Sequence, residues 1–158
     1  MPINISAELF MKELKALLIE TFEKVDGIYL DRGTSLLESI GSLSAEQASR
    51  TVRPGGTTIA GQIEHIRFYL RILNDFIDGK RHENLDWKQS WLVSKVTDSE
   101  WKEQRDQLAT DYRLTAAHLN SISDWNDEKH LGGALAIVVH TAYHLGAIRQ
   151  IVLSIREQ

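Results

Sequence analysis

From Leu131 to Ile148 the chain carries no Asp, Glu, Lys or Arg, yet His140 and His144 stand inside that run. So long an uncharged stretch must be kept from water, either as a core helix or as a membrane span. The run contains two histidines and three glycines (Gly132, Gly133, Gly146), and no second such run exists. Both facts favour a core helix. On a helix, residues four apart project from one face, one turn apart. Two imidazoles are therefore buried together, and their ring nitrogens need partners there. A metal ion is the most economical partner, because neutral imidazole is the commonest metal ligand.

The rest of the chain is punctuated for helices. Ser6 is placed to cap a first helix carrying Leu9, Leu14, Leu17, Leu18 and Phe22, with a break near Asp26-Gly27. Ile28-Tyr29-Leu30 reads as a short extended or turn segment. A short helix is expected over 34–40, stopped by Gly41, and Ser44 is placed to cap one more turn. Arg53-Pro54-Gly55-Gly56 is the clearest loop. Thr57 or Thr58 then opens a helix whose Ile59, Ile63, Ile66, Leu70, Leu73 and Ile77 step by four and three. A second stripe lies beside this seam: Gly61, His65, Tyr69, Ile72 and Phe76. Residues 82–96 form a connector holding Trp87 and Trp91. Thr97-Asp98-Ser99-Glu100 is a capping box before a helix with Trp101, Leu108, Tyr112, Thr115, Leu119 and Ile122. The last helix is expected from Leu131 to about Arg156.

No segment alternates as a strand would, so the expected class is all-α: one domain over 1–158, four main helices and an extra short one in an up-down-type bundle. At 158 residues with 42% hydrophobic and 25% charged side chains, the chain can bury one core. Net charge is −4 and the cations do not cluster, which argues against nucleic acid as a partner. The N-terminal residues lack the apolar core of a secretory signal, so the expected location is the cytoplasm, with no membrane partner. The absence of Cys excludes disulfides, thiolate metal sites and a Cys nucleophile. A reactive thiol would have to arrive with a substrate.

Six histidines are available. His82 lies in a charged stretch and His130 beside Asp127, Glu128 and Lys129, so both are expected at the surface. His118, near a helix end, is expected to be half-buried. His65 belongs to the stripe of a central helix. A site of His65, His140 and His144, built from facing helices, is the expected constellation. Three neutral imidazoles leave a fourth position for water or substrate, the open geometry of a catalytic site. The plain alternative is three core histidines, each satisfied by a carbonyl or hydroxyl, with Thr141, Tyr143 and Tyr69 as candidates. Position 141 is Thr rather than Glu, so the HExxH general base of zinc proteases is missing and no catalytic acid or base is identified. Gly146, in mid-helix, reads first as a point of tight helix packing, and otherwise as space for a ligand. Tyr69, Trp87 and Trp91 are candidates for a pocket wall.

The segment Pro54-Gly55-Gly56-Thr57-Thr58-Ile59-Ala60-Gly61-Gln62-Ile63-Glu64-His65 resembles the lead-in and first metal histidine of the DinB-like (damage-inducible) family. His140-Thr141-Ala142-Tyr143-His144-Leu145-Gly146-Ala147-Ile148-Arg149-Gln150 resembles its second signature, HxxxHxGxxxQ. The resemblance spans roughly residues 5 to 156. It implies a four-helix bundle of up-down-down-up path in place of the simpler arrangement, and a divalent metal on His65, His140 and His144, nickel or zinc most often, otherwise iron or manganese. It also implies a homodimer. Members of the superfamily include thiol-dependent transferases and isomerases in which the metal activates a low-molecular-weight thiol. The expected function is accordingly a metal-dependent enzyme acting on a small molecule, a thiol transferase or a hydrolase. The alternatives are a non-catalytic metal- or ligand-binding stress protein and a dimerisation module with vestigial histidines. The long 4–43 region and the Trp87–Trp91 connector depart from a minimal member, so substrate identity does not carry over.

Overall fold

The computed structural model describes residues 5–156. They form six α-helices and a single-turn 3-10 helix, with no strand among the described residues. The four long helices are α1 (Ala7–Phe22), α4 (Ile59–Ile77), α5 (Asp98–Ser121) and α6 (Glu128–Arg156); α2 (Leu36–Ile40) and α3 (Ala45–Ala48) are short, and the 3-10 turn spans Trp87–Trp91. The protein is all-helical, as its punctuation predicts.

The caps explain the starts. The hydroxyls of Ser6, Ser44, Thr58 and Thr97 each accept an amide of the following first turn, and Ser35 does the same for α2. Several boundaries differ from expectation: α1 stops at Phe22, ahead of the Asp26-Gly27 break, and α2 begins at Leu36 rather than at Thr34. Ile122 falls just past the end of α5. Helix α6 begins three residues before its apolar run, where the Asp127 carboxylate accepts the amide of Lys129 at 2.7 Å. A polar first turn is what a helix N-terminus favours, so the onset of hydrophobicity marks the boundary late.

Helix α4 is the spine. All six residues of its seam are buried, and it packs against both α5 and α6. Burying each of these side chains contributes about 1.5–3 kcal/mol. Gly133 of α6 sits on this contact: a Cβ there would lie 2.5 Å from Ile77 Cγ1. Gly146, by contrast, would place a Cβ in open space, which corrects the expectation of tight packing at that point within the chain. Helix α6 is long and apolar enough to cross a membrane by length and composition alone. Here its Ile137, Thr141, Leu145 and Ile148 lie inside the core.

The segment after α1 is held by one carboxylate. Glu20 is fully enclosed and accepts the amides of Asp26, Ile28, Tyr29 and Leu30 at 2.6–3.0 Å. Burial pushes its pKa up, but the four amides outweigh that and hold it at about 2. The Ile28-Tyr29-Leu30 stretch thus folds back onto α1 as a turn.

Candidate metal centre

Helices α4 and α6 bring His65, His140 and His144 together. His65 and His144 are buried and His140 is half-buried. One nitrogen from each ring falls within 4.8 Å of the others. His140 Nε2 stands 3.2 Å from Nε2 of His65 and 3.2 Å from Nε2 of His144.

The opposite edges of the rings decide the tautomers. The Ser90 hydroxyl donates to the Trp87 carbonyl at 2.7 Å, so toward His65 it accepts, and His65 Nδ1–H is the donor at 2.7 Å. The Gln62 amide donates from Nε2 to Thr57 Oγ1 at 2.7 Å, which aims its oxygen at His144. His144 Nδ1–H donates to that oxygen at 2.6 Å. In a neutral imidazole with Nδ1 protonated, Nε2 is a bare lone pair. His65 and His144 therefore both aim lone pairs at His140. The single proton of a neutral His140 cannot satisfy two such neighbours well.

The rings are held neutral. Burial, reinforced by the neighbouring imidazoles, lowers the pKa of His140 to about 3 and that of His144 to about 4; burial lowers His65 as well. A divalent cation at the convergence point removes the conflict. For tetrahedral bonds of about 2.0–2.1 Å, neighbouring ligand nitrogens lie about 3.3–3.4 Å apart, close to the observed spacing. The donor set thus fits a metal ion. The hydroxyl and amide behind His65 and His144 are the kind of outer partners that ligating histidines use. Thr141, Tyr143 and Tyr69, the nearby groups expected as hydrogen-bond partners of core histidines, do not take that role here. The partners are Ser90 and Gln62.

Aromatic rings surround the cluster. Tyr69 stacks on His140 with centroids 3.4 Å apart and planes 8° apart, and Trp91 stacks on His65 at 4.0 Å and 15°. Trp87 stands one layer out, with its ring against Tyr69 at 5.6 Å and Phe68 at 5.9 Å. No carboxylate joins the cluster among the described residues. Glu64, beside His65 in sequence, pairs instead with Arg67 at 2.8 Å and Arg71 at 3.5 Å.

The other histidines are engaged elsewhere. His82 is exposed and meets Asp75 at 2.9 Å. His118, half-buried as expected, lies between Asn74 at 2.7 Å and Asp78 at 2.9 Å. His130 is half-buried rather than exposed, because its Nδ1 turns back to the Asp124 carbonyl at 2.6 Å.

The family model of the DinB superfamily matches residues 29–148. The chain belongs to the DinB superfamily. The matched span contains all three histidines of the cluster, and it is narrower than the stretch of roughly 5 to 156 over which the sequence resembles the family. No curated protein and no solved structure matches the chain significantly.

Proposed function

We propose that this DinB-superfamily chain is a metal-dependent enzyme for small-molecule thiols, with one divalent ion, nickel or zinc before iron or manganese, on His65, His140 and His144. The observation that carries this reading is the convergence of Nε2 atoms whose opposite ring edges are committed to Ser90 and Gln62. A bound ion with three neutral ligands keeps its full positive charge and acidifies a thiol or water at its remaining position without help from a carboxylate. The chain has no Cys, so the sulfur nucleophile comes from a second substrate. In such a transfer the thiol sulfur forms the new bond to the electrophile, and the leaving group departs with the thiol proton. Tyr69 and Trp91 cover the histidine faces and supply apolar wall, with Trp87 behind them. Water in place of the thiol makes the same centre a hydrolase.

The reading includes two further features. The four long helices follow the up-down-down-up path, and the chain forms a homodimer. Support for the dimer is the exposed face of α6, where Leu131, Leu135, Val139, Tyr143 and Leu153 lie open. Gly146 on that face leaves room for a close neighbour.

A non-catalytic metal-binding protein is the second reading. It is favoured by the lack of a carboxylate in the cluster among the described residues. Elemental analysis followed by a thiol-plus-electrophile panel, run before and after chelation, separates the two. Turnover that disappears with the metal and returns with it supports the enzyme. Unchanged turnover in metal-free protein removes the metal from the mechanism. No turnover in metal-loaded protein leaves the binding role.

A further inference from the structure

The connector between α4 and α5 grips the metal centre at one ligand. Ser90 is wholly buried, and its Oγ is the shared atom of two hydrogen bonds, one to the Trp87 carbonyl that closes the turn and one from His65 Nδ1. The next residue, Trp91, lies flat on the same imidazole at 4.0 Å. Two residues on, the Val93 carbonyl crosses α4 directly over Gly61, where a Cβ would come within 2.8 Å of the oxygen. Gly61 is one helical turn before His65. The missing Cβ at Gly61 is therefore what lets the connector come close enough for Ser90 and Trp91 to reach the ring. His140 has no equivalent: among the described residues it is held on its face by Tyr69 and has no hydrogen bond to Nδ1.

We propose that the Trp87–Trp91 turn is a metal-coupled clamp, in which Ser90 is the positioning residue for His65 and Gly61 is the seat that admits the turn. The proposal rests on the metal reading of the cluster. Its physical basis is linkage. Coordination at Nε2 draws electron density from the ring and makes Nδ1–H a better donor, so the bond to Ser90 strengthens. Whatever strengthens that bond steadies the turn that carries Ser90. By reciprocity, a seated turn raises metal affinity. For His144 the oxygen behind the ring comes from Gln62 on α4 itself. For His65 it comes from a connector, so among the described residues it is at His65 that ligand geometry is tied to the seating of a loop.

The test uses Zn²⁺ and the full chain. Zinc affinity is measured by competition with a chromophoric chelator, and amide hydrogen exchange across 87–93 is followed with and without zinc. The expected result is that zinc slows exchange across the turn in the wild type. Ser90→Ala should weaken zinc binding by about 10–100-fold and remove that slowing, whereas Ser90→Thr, which keeps the hydroxyl, should retain more of both. Gly61→Ala leaves every ligand and Ser90 intact. It should nonetheless weaken zinc, although Ala is the better helix former, and it decides the matter if Ser90→Ala does not fold. Folded variants that bind zinc as the wild type does, or zinc-insensitive exchange across the turn, overturn the clamp while leaving the metal site standing. A wild type that binds no zinc or nickel overturns both.

Discussion

The amide oxygen of Gln62 lies 2.6 Å from Nδ1 of His144, across 82 residues of chain. With the Gln62 amide nitrogen held by Thr57 at 2.7 Å, the bond has one direction: His144 donates and Nε2 is left bare. Replacing Gln62 with Leu removes the acceptor and frees the ring to turn. Metal affinity should fall by about 10–100-fold, while Gln62→Glu, which keeps an acceptor, should bind at least as well as the wild type. A competition titration reads both. Equal affinity in the Leu variant would show that the bond does not orient the ligand.

The metal-free protein should lose stability as acid is added, starting near neutrality. His140 is held at about 3, His144 at about 4, and His65 below its ordinary value, each chiefly by burial. An unfolded histidine titrates near 6.5. Below that pH the unfolded chain takes up protons that the folded state refuses, so the folded state is disfavoured. The loss runs from about pH 6.5 down toward the folded values. Urea midpoints with chelator present should therefore fall between pH 7.5 and 5, and less so in His140→Leu. A midpoint flat across that window would contradict the burial of the three rings.

Glu20 has the opposite sign and a lower window. Its folded pKa is about 2 against 4.5 in the free side chain, so it stabilises above 4.5 and that contribution is lost as pH falls toward 2. Glu20→Gln would turn an amide NH2 toward backbone donors that now share a carboxylate. A lower melting temperature and faster protease cutting within 26–30 are expected at pH 7. An unchanged digestion pattern would mean the loop is held by something else.

Much of this architecture is legible in the sequence, and the exceptions have physical causes. Helix caps at Ser6, Ser44 and Thr97 are local chemistry, and the α4 seam is local periodicity. Both survive folding. The pairing of His65 with His140 and His144 follows from burial of three imidazoles in two apolar stripes. Ser90 and Gln62 carry no such mark, because a polar residue on a connector or a helix face reads as solvent-facing until another element covers it. The one hint was position: Gln62 lies three residues before His65, on the same face, and Ser90 sits between two tryptophans. Glu20 reads as a surface charge for the same reason, since only the return of 26–30 buries it. At Gly146 a mid-helix glycine reads as a point of tight packing, yet the structure leaves open space around it, because sequence marks where a side chain is missing and not what lies beside it.

Val139 and Tyr143 stand 67% and 75% exposed on the α6 face proposed to join two copies. Light scattering should give a dimer at micromolar concentration for the wild type and a monomer for Val139→Glu, because a buried unpaired carboxylate costs several kcal/mol, roughly enough to undo a small interface. A monomeric wild type would reject the interface.

The central claim is that three histidines, and no others, hold one divalent ion. Elemental analysis after dialysis against nickel or zinc tests it most directly, applied to the wild type and to single alanine variants of His65, His140, His144 and the exposed His82. The account predicts one metal per chain in the wild type and in His82→Ala, a metal-dependent rise in melting temperature in both, and loss of metal in His65→Ala, His140→Ala and His144→Ala. Metal retained at full stoichiometry by His144→Ala, or no metal in the wild type, would contradict it.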